Sequence, residues 1–257
     1  MQTSKTIKAL RYAVAMLTVC QASLTTATAQ SEAGLLTELS AEKSITKKIS
    51  VTVEGDYRTR NNFKTTDRWS LGVAGEYKLM KGLKLSAGYK MLQTNFRENI
   101  TLNTNGTYNN WRPSYWGTRH RLHATLSGSY KLRNNLKISL RERWQWTYRA
   151  EKSTDRWDFD NALWETTLRS GKAHHQLRSR LELSYDKKHS LLTPYASIEL
   201  YNGWNIEKIR YTVGTDLNLS KQHTLSVFYR FQDIKDNSAD TYDPDMHYMG
   251  IGYKFKF

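Results

Sequence analysis

The chain has 257 residues, a formal charge of +15, a mean hydropathy of −0.70 and 39% hydrophobic residues. It is long enough for one sizeable domain, but no stretch is apolar enough for a transmembrane helix, which excludes a helical membrane protein. A single cysteine, Cys20, excludes a disulfide framework and a thiolate metal site.

The first segment reads as a leader. Lys5, Lys8 and Arg11 precede a short apolar run, residues 12–19, and Ala27-Thr28-Ala29 has the small-x-small form of a signal-peptidase site. Cleavage after Ala29 leaves residues 30–257 as the domain. Cys20 raises the rival reading of a lipoprotein signal, which Val19 before it suits poorly. The leader holds three of the cations and no carboxylate. An exported basic chain is expected to meet lipid phosphates or anionic solutes, and no nucleic acid. The plainer reading of the excess Lys and Arg is solvated loops and turns.

Beyond the leader the chain alternates. Ile49, Val51, Val53, Gly55 and Tyr57 alternate with Ser50, Thr52, Glu54, Asp56 and Arg58. Then come Trp69, Leu71, Val73, Gly75, Tyr77 and Leu79, next Leu83, Leu85, Ala87 and Tyr89, next Leu122, Ala124, Leu126, Gly128 and Tyr130. Residues 136–149 are clearest: Leu136, Ile138, Leu140, Trp144, Trp146 and Tyr148 share one face, interrupted by Glu142, and the other face is polar throughout. Period two is a strand signature, and helical spacing would mix the two sets. Later segments centre on Leu181-Leu183-Tyr185, Ala196-Ile198-Leu200, Tyr211-Val213-Leu217 and Leu225-Val227-Tyr229, and the last is His247, Met249, Ile251, Tyr253, Phe255 and Phe257.

Short turns near residues 80–82, 133–135, 186–190 and 220–222 alternate with longer connections at 60–66, 97–117, 150–172 and 236–245; Asn202-Gly203 is short where a long one is due. The expected fold is all-β, an antiparallel transmembrane barrel of about 10–12 strands with short periplasmic turns and longer outer loops. Aromatics near the ends of the apolar faces, strands over ten residues and a terminal Phe257 favour lipid over a soluble barrel. A final strand of that form suits the outer-membrane insertion machinery of a Gram-negative-type envelope. Parity counts ten strands from Ile49 onward. Residues 35–42 are left over as a periplasmic extension, a plug or part of a twelve-strand arrangement.

A further likeness rests on Leu177-Arg178-Ser179-Arg180-Leu181, Pro194-Tyr195-Ala196-Ser197, Glu199-Leu200-Tyr201-Asn202, Arg210-Tyr211-Thr212-Val213-Gly214 and Gly250-Ile251-Gly252-Tyr253-Lys254-Phe255. Over most of residues 35–257 the chain resembles a large family of bacterial outer-membrane barrels known as a domain of unknown function. The resemblance implies a barrel and its location, and no activity.

Arg-x-Arg recurs at Arg58/Arg60, Arg119/Arg121, Arg141/Arg143 and Arg178/Arg180. Strand residues two apart share a face, and a charge on the lipid face costs a few kcal/mol near the midplane. These arginines are expected to line the lumen, joined by Arg210 and Arg230. Guanidinium suits carboxylate and phosphate, so a narrow porin-like channel for small or anionic solutes is one reading, by analogy with small barrels that pass acidic sugars along arginine tracks. Glu54, Asp56, Glu76, Glu182, Glu199 and Asp216 fall on the same polar face, so ion pairs filling a closed lumen are the other. Such a barrel would act structurally or through its outer loops, where residues 103–116 are rich in Asn, Tyr and Trp. That loop would fold over the pore, meet a partner or glycan, or be plain polar surface.

Catalysis is not expected. His120, His123, His174, His175, His189, His223 and His247 show no Ser-His-acid spacing, and His174 and His175 in a strand point to opposite faces and cannot easily share a metal. No cofactor motif appears. The expected partners are outer-membrane lipid, lipopolysaccharide phosphates and the insertion machinery.

Overall fold

The computed structural model describes residues 31–187, 190–235 and 243–257. The leader, Cys20, His189 and most of the connection at 236–245 lie outside the described residues. The strands are β1 (Ser31–Ser44), β2 (Ile49–Arg60), β3 (Thr65–Met80), β4 (Leu83–Phe96), β5 (Asn99–Leu102), β6 (Tyr108–Arg112), β7 (Tyr115–Lys131), β8 (Leu136–Arg149), β9 (Lys152–Asp158), β10 (Leu163–Arg169), β11 (Lys172–Tyr185), β12 (Leu192–Asn202), β13 (Ile206–Asn218), β14 (His223–Ile234) and β15 (Asp245–Lys256). Eleven of them close a barrel in the order β1, β15, β14, β13, β12, β11, β8, β7, β4, β3, β2. The barrel strands run from 11 to 17 residues, long enough to cross a bilayer when tilted.

The leftover segment is a wall strand. Residues 35–42 lie in β1, which pairs antiparallel with β2 and parallel with β15, from Ser31 opposite Asp245 to Glu42 opposite Lys256. It is neither an extension nor a plug, and the count is eleven rather than ten or twelve. The odd number forces the one parallel pairing among the described strands, where an all-antiparallel wall was expected. β1 is held from inside as well. Leu36 is fully buried in a cluster with Phe228, Met246 and Tyr248, against which Tyr195 packs. Burying such a side chain is worth about 1.5–3 kcal/mol.

The alternation sorts as expected. Val53, Leu71, Leu85, Leu122, Leu140, Leu181, Val213 and Ile251 are all exposed outward. An apolar belt of this extent is tolerable only in lipid. Tyr57, Trp69, Trp144 and Tyr185 also stand exposed on that face. Three histidines on the outer face sit beside tyrosines. The Tyr89 hydroxyl lies 2.7 Å from His120 Nδ1, that of Tyr253 2.6 Å from His223 Nδ1, and that of Tyr229 2.5 Å from His247 Nδ1. Each pair satisfies two polar groups at once.

Two of the long connections are not structureless. Residues 97–117 contain β5 and β6, residues 150–172 contain β9 and β10, and the four form a second sheet in the order β10-β9-β6-β5. Its central pairing sets Trp111 opposite Trp157, and Trp157 lies opposite Trp164. This sheet marks the loop end of the barrel. The opposite, turn end carries the tight connections, including Gly82 with φ +85° between β3 and β4, a conformation that glycine adopts freely.

Candidate functional site

The lumen is polar because the inward residues of each strand are polar, and register decides which of them meet. Across β7, β8 and β11 the inward side chains form successive rungs. Nearest the loop end stand Arg119, Arg149 and Lys172. Next come Arg121, Thr147 and His174, then His123, Gln145 and Gln176. Below them are Thr125, Arg143 and Arg178, then Ser127, Arg141 and Arg180. Rungs lie about 6–7 Å apart along a strand.

A central cavity of about 230 Å³ is lined by Arg58, Arg68, Lys90, Arg121, Arg141, Arg143, Arg178, Arg210 and Arg230 together with Glu38, Glu54, Asp56, Glu199 and His123. Nine cations thus face four carboxylates. Asp56 accepts from Lys90 Nζ at 3.0 Å and from the Ser70 hydroxyl at 2.5 Å, with Arg58 and Arg68 at 3.6 and 3.9 Å. Lys90 also reaches Glu54 at 2.6 Å, and Arg230 reaches Glu38 at 3.2 Å. Glu199 takes Arg141 at 2.5 Å and Arg178 at 3.0 Å. Arg121 and Arg143 make no ion pair among the described residues; each donates through Nε to a threonine, Thr147 at 3.1 Å and Thr125 at 2.9 Å. Both line the cavity.

Further cavities lie above and below. One at the loop end is lined by Arg60, Asp67, Arg97, Arg119, Lys208 and Asp243 among others, and shares Arg58, Arg68 and Arg210 with the central one. A second at the loop end, bounded by Arg149, Lys172, His174 and Glu207, shares Arg121 with it. One toward the turn end, lined by Lys137, Ser139, Arg180 and Glu182, shares Arg141. The two at the loop end meet at Arg119 and Lys208. Every residue common to two of these cavities is a cation.

The residues anticipated from sequence are therefore mostly together. Arg58, Arg121, Arg141, Arg143, Arg178, Arg210, Arg230, Glu54 and Asp56 line the central cavity. Arg180 and Glu182 pair with each other toward the turn end. Glu76 stands apart, bound to Lys84 at 2.7 Å. Arg68, Lys90, Glu38 and His123 were missed, although strand parity with Trp69, Tyr89 and Leu122 would have turned three of them inward. His174 turns inward to Glu207, 2.9 Å away, while His175 stacks outside on Trp144, so the two histidines share no ligand. Among the described residues no cluster of three His, Cys, Asp or Glu side chains is placed to hold a metal ion.

A closed barrel with an apolar outer belt and a charged interior defines the class: a transmembrane β-barrel of the outer-membrane type. Within it, the chain belongs to the family described as protein of unknown function (DUF2490), whose model matches residues 33–243. Among solved structures it is similar to the beta domain of the Bordetella autotransporter BrkA. That likeness has 14% identity over 83% of this chain and 86% of that one, with a TM-score of 0.51, and shows the barrel fold alone. It also matches the NanC porin at 15% identity over 87% and 97% of the two chains, with a TM-score of 0.45. No curated protein sequence matches this chain.

Proposed function

We propose that the protein is a narrow, anion-preferring pore of the outer membrane, with an arginine-lined lumen that passes small solutes. The observation that carries this reading is the sharing of only cations between successive cavities. An ion moving from one space to the next must pass a guanidinium or an ammonium, and a charged ring of this kind sets anion preference. The cavities are small, so the solutes are small. The loop end faces outward, where its lysines and arginines meet lipopolysaccharide phosphates. The last strand, with Tyr253, Phe255 and Phe257 on the lipid face, is what the insertion machinery engages. The protein is not an enzyme in this reading; His120, His223 and His247 are taken up in hydrogen bonds to tyrosines on the lipid face.

The competing reading is a sealed barrel acting through its outer sheet, favoured by the ion pairs of Glu199 and Asp56 that occupy the centre. Single-channel recording of the refolded protein under a salt gradient separates the two. The pore predicts current steps with an anion-side reversal potential, shifted toward zero in the Arg121→Ala/Arg143→Ala variant. A folded barrel that stays silent, or prefers cations, rejects the pore.

A further inference from the structure

One carboxylate in the central cavity occupies a position suited to an anion from outside. Glu199 on β12 receives Arg141 from β8 at 2.5 Å, Arg178 from β11 at 3.0 Å on both oxygens and the Tyr201 hydroxyl at 2.9 Å. Arg210 from β13 stands 3.8 Å away. Three strands thus converge their guanidiniums on a single carboxylate, and charge-assisted donors of this kind are the strong ones. Glu199 does not by itself hold Arg178 and Arg210 in place. Arg178 and Arg210 lie over the Tyr201 ring at 4.4 and 4.5 Å, and Arg210 Nε donates to Gln232 at 2.8 Å. The Nε atoms of Arg141 and Arg178 are buried and have no protein acceptor. Arg178 and Arg210 would stay in place, and the cluster would gain unsatisfied donors, if the Glu199 side chain swung away.

We infer that Arg141, Arg178, Arg210 and Tyr201 form a binding site for a small polycarboxylate, and that Glu199 is its tethered occupant, displaced when the solute binds. A tethered group competes at an effective concentration on the order of millimolar or more. A monocarboxylate gains too little from one such exchange. A di- or tricarboxylate gains more, because Arg121 and Arg143 line the same cavity and pair with no carboxylate among the described residues. The inference deepens the pore reading by naming its solute class. It rests on that reading for the route of access alone; binding does not require conduction.

The test uses the full folded chain, with citrate, acetate and inorganic phosphate as probes, and two readouts: thermal stabilisation of the barrel in detergent and block of conductance in a bilayer. Glu199→Gln removes the competitor's charge at constant shape. Its citrate affinity should rise at least tenfold over wild type, with little change for acetate, and the gain should vanish when Arg178→Ala is added. Should the Gln variant not fold, Glu199→Asp, retracted by one methylene, carries the test with an expected gain of about threefold. A folded variant that binds citrate no tighter overturns the inference, as does a gain indifferent to Arg178. An equal gain for phosphate overturns the choice of carboxylate. A silent barrel that shows the citrate gain rejects the pore and keeps the site; a conducting barrel without it does the reverse.

Discussion

Adjacent residues of β8 offer a direct test of which face meets lipid. Leu140 is half exposed on the outer face, flanked there by Ile138 and Glu142 and paired with Leu181. Ser139, one residue earlier, faces the turn-end cavity and lies opposite Glu182. In the 14-residue strand, Leu140 falls two to three residues from the centre. With about 3.4 Å per residue and a tilt near 40°, that is roughly 6–7 Å from the midplane. An arginine costs about 2–4 kcal/mol at the midplane and about 0–1 near the interface. In a Glu142→Leu background, which removes the carboxylate two residues along the same face, Leu140→Arg should therefore lose about 1.5–3 kcal/mol. Ser139→Arg enters a polar space with a carboxylate opposite and should stay within about 0.5 kcal/mol of wild type. Denaturant unfolding from lipid vesicles, followed by tryptophan fluorescence, measures both. If Ser139→Arg is as damaging as Leu140→Arg, the assignment of faces fails.

Three further outcomes are expected. Glu142, a carboxylate on the outer face held by the Ser179 hydroxyl at 2.6 Å, sits near mid-strand in lipid, so Glu142→Leu should stabilise the barrel by about 1 kcal/mol in the same unfolding assay. Gly250 leaves room for the Phe228 ring inside the β1 seam, so Gly250→Ala should destabilise by about 1–3 kcal/mol through overpacking, and adding Phe228→Leu should recover part of the loss. In the outer sheet, the Asp158 carboxylate accepts from the Asn161 side-chain amide at 3.0 Å and from the backbone N–H groups of Asn161 and Asp160, which holds its pKa below the ordinary value of 3.8. A lowered folded-state pKa means that the turn's stabilisation is fully present above the ordinary value and is lost as pH falls through the lowered one. Hydrogen-exchange protection at Asp160 and Asn161 should hold from pH 7 to 5 and fall only in stronger acid.

Much of the wall could be read from period two, because a strand between lipid and a wet lumen has two unlike environments. β2, β3, β4, β7 and β8 carry that contrast cleanly, and the Arg-x-Arg pairs follow from it. β1 hid because its inward Leu36 packs on Phe228, Met246 and Tyr248, so Leu35-Leu36 breaks the alternation. Its partner β15 also lies at the far end of the chain. The strands β5, β6, β9 and β10 are short, and two different loops must meet before Trp111 can pair with Trp157. The convergence on Glu199 was illegible for a related reason. Arg141, Arg178 and Arg210 become neighbours only once β8, β11, β12 and β13 are set in order and register.

That register also bears on whether the interior can be a dry, sealed core. The buried Nε atoms of Arg141, Arg149 and Arg178 have no protein acceptor. A donor left unsatisfied in an apolar interior costs about 1–3 kcal/mol, and more when charged. Three such donors, in a lumen where nine cations face four carboxylates in the central cavity, would cost a sizeable part of the stability of an ordinary domain. A hydrated lumen removes that penalty by supplying acceptors, and the excess positive charge then attracts anions into it. The four carboxylates nearest the centre offset repulsion among the arginines without cancelling it. Arg121 and Arg143, with threonine oxygens as their protein acceptors, belong to that uncancelled excess.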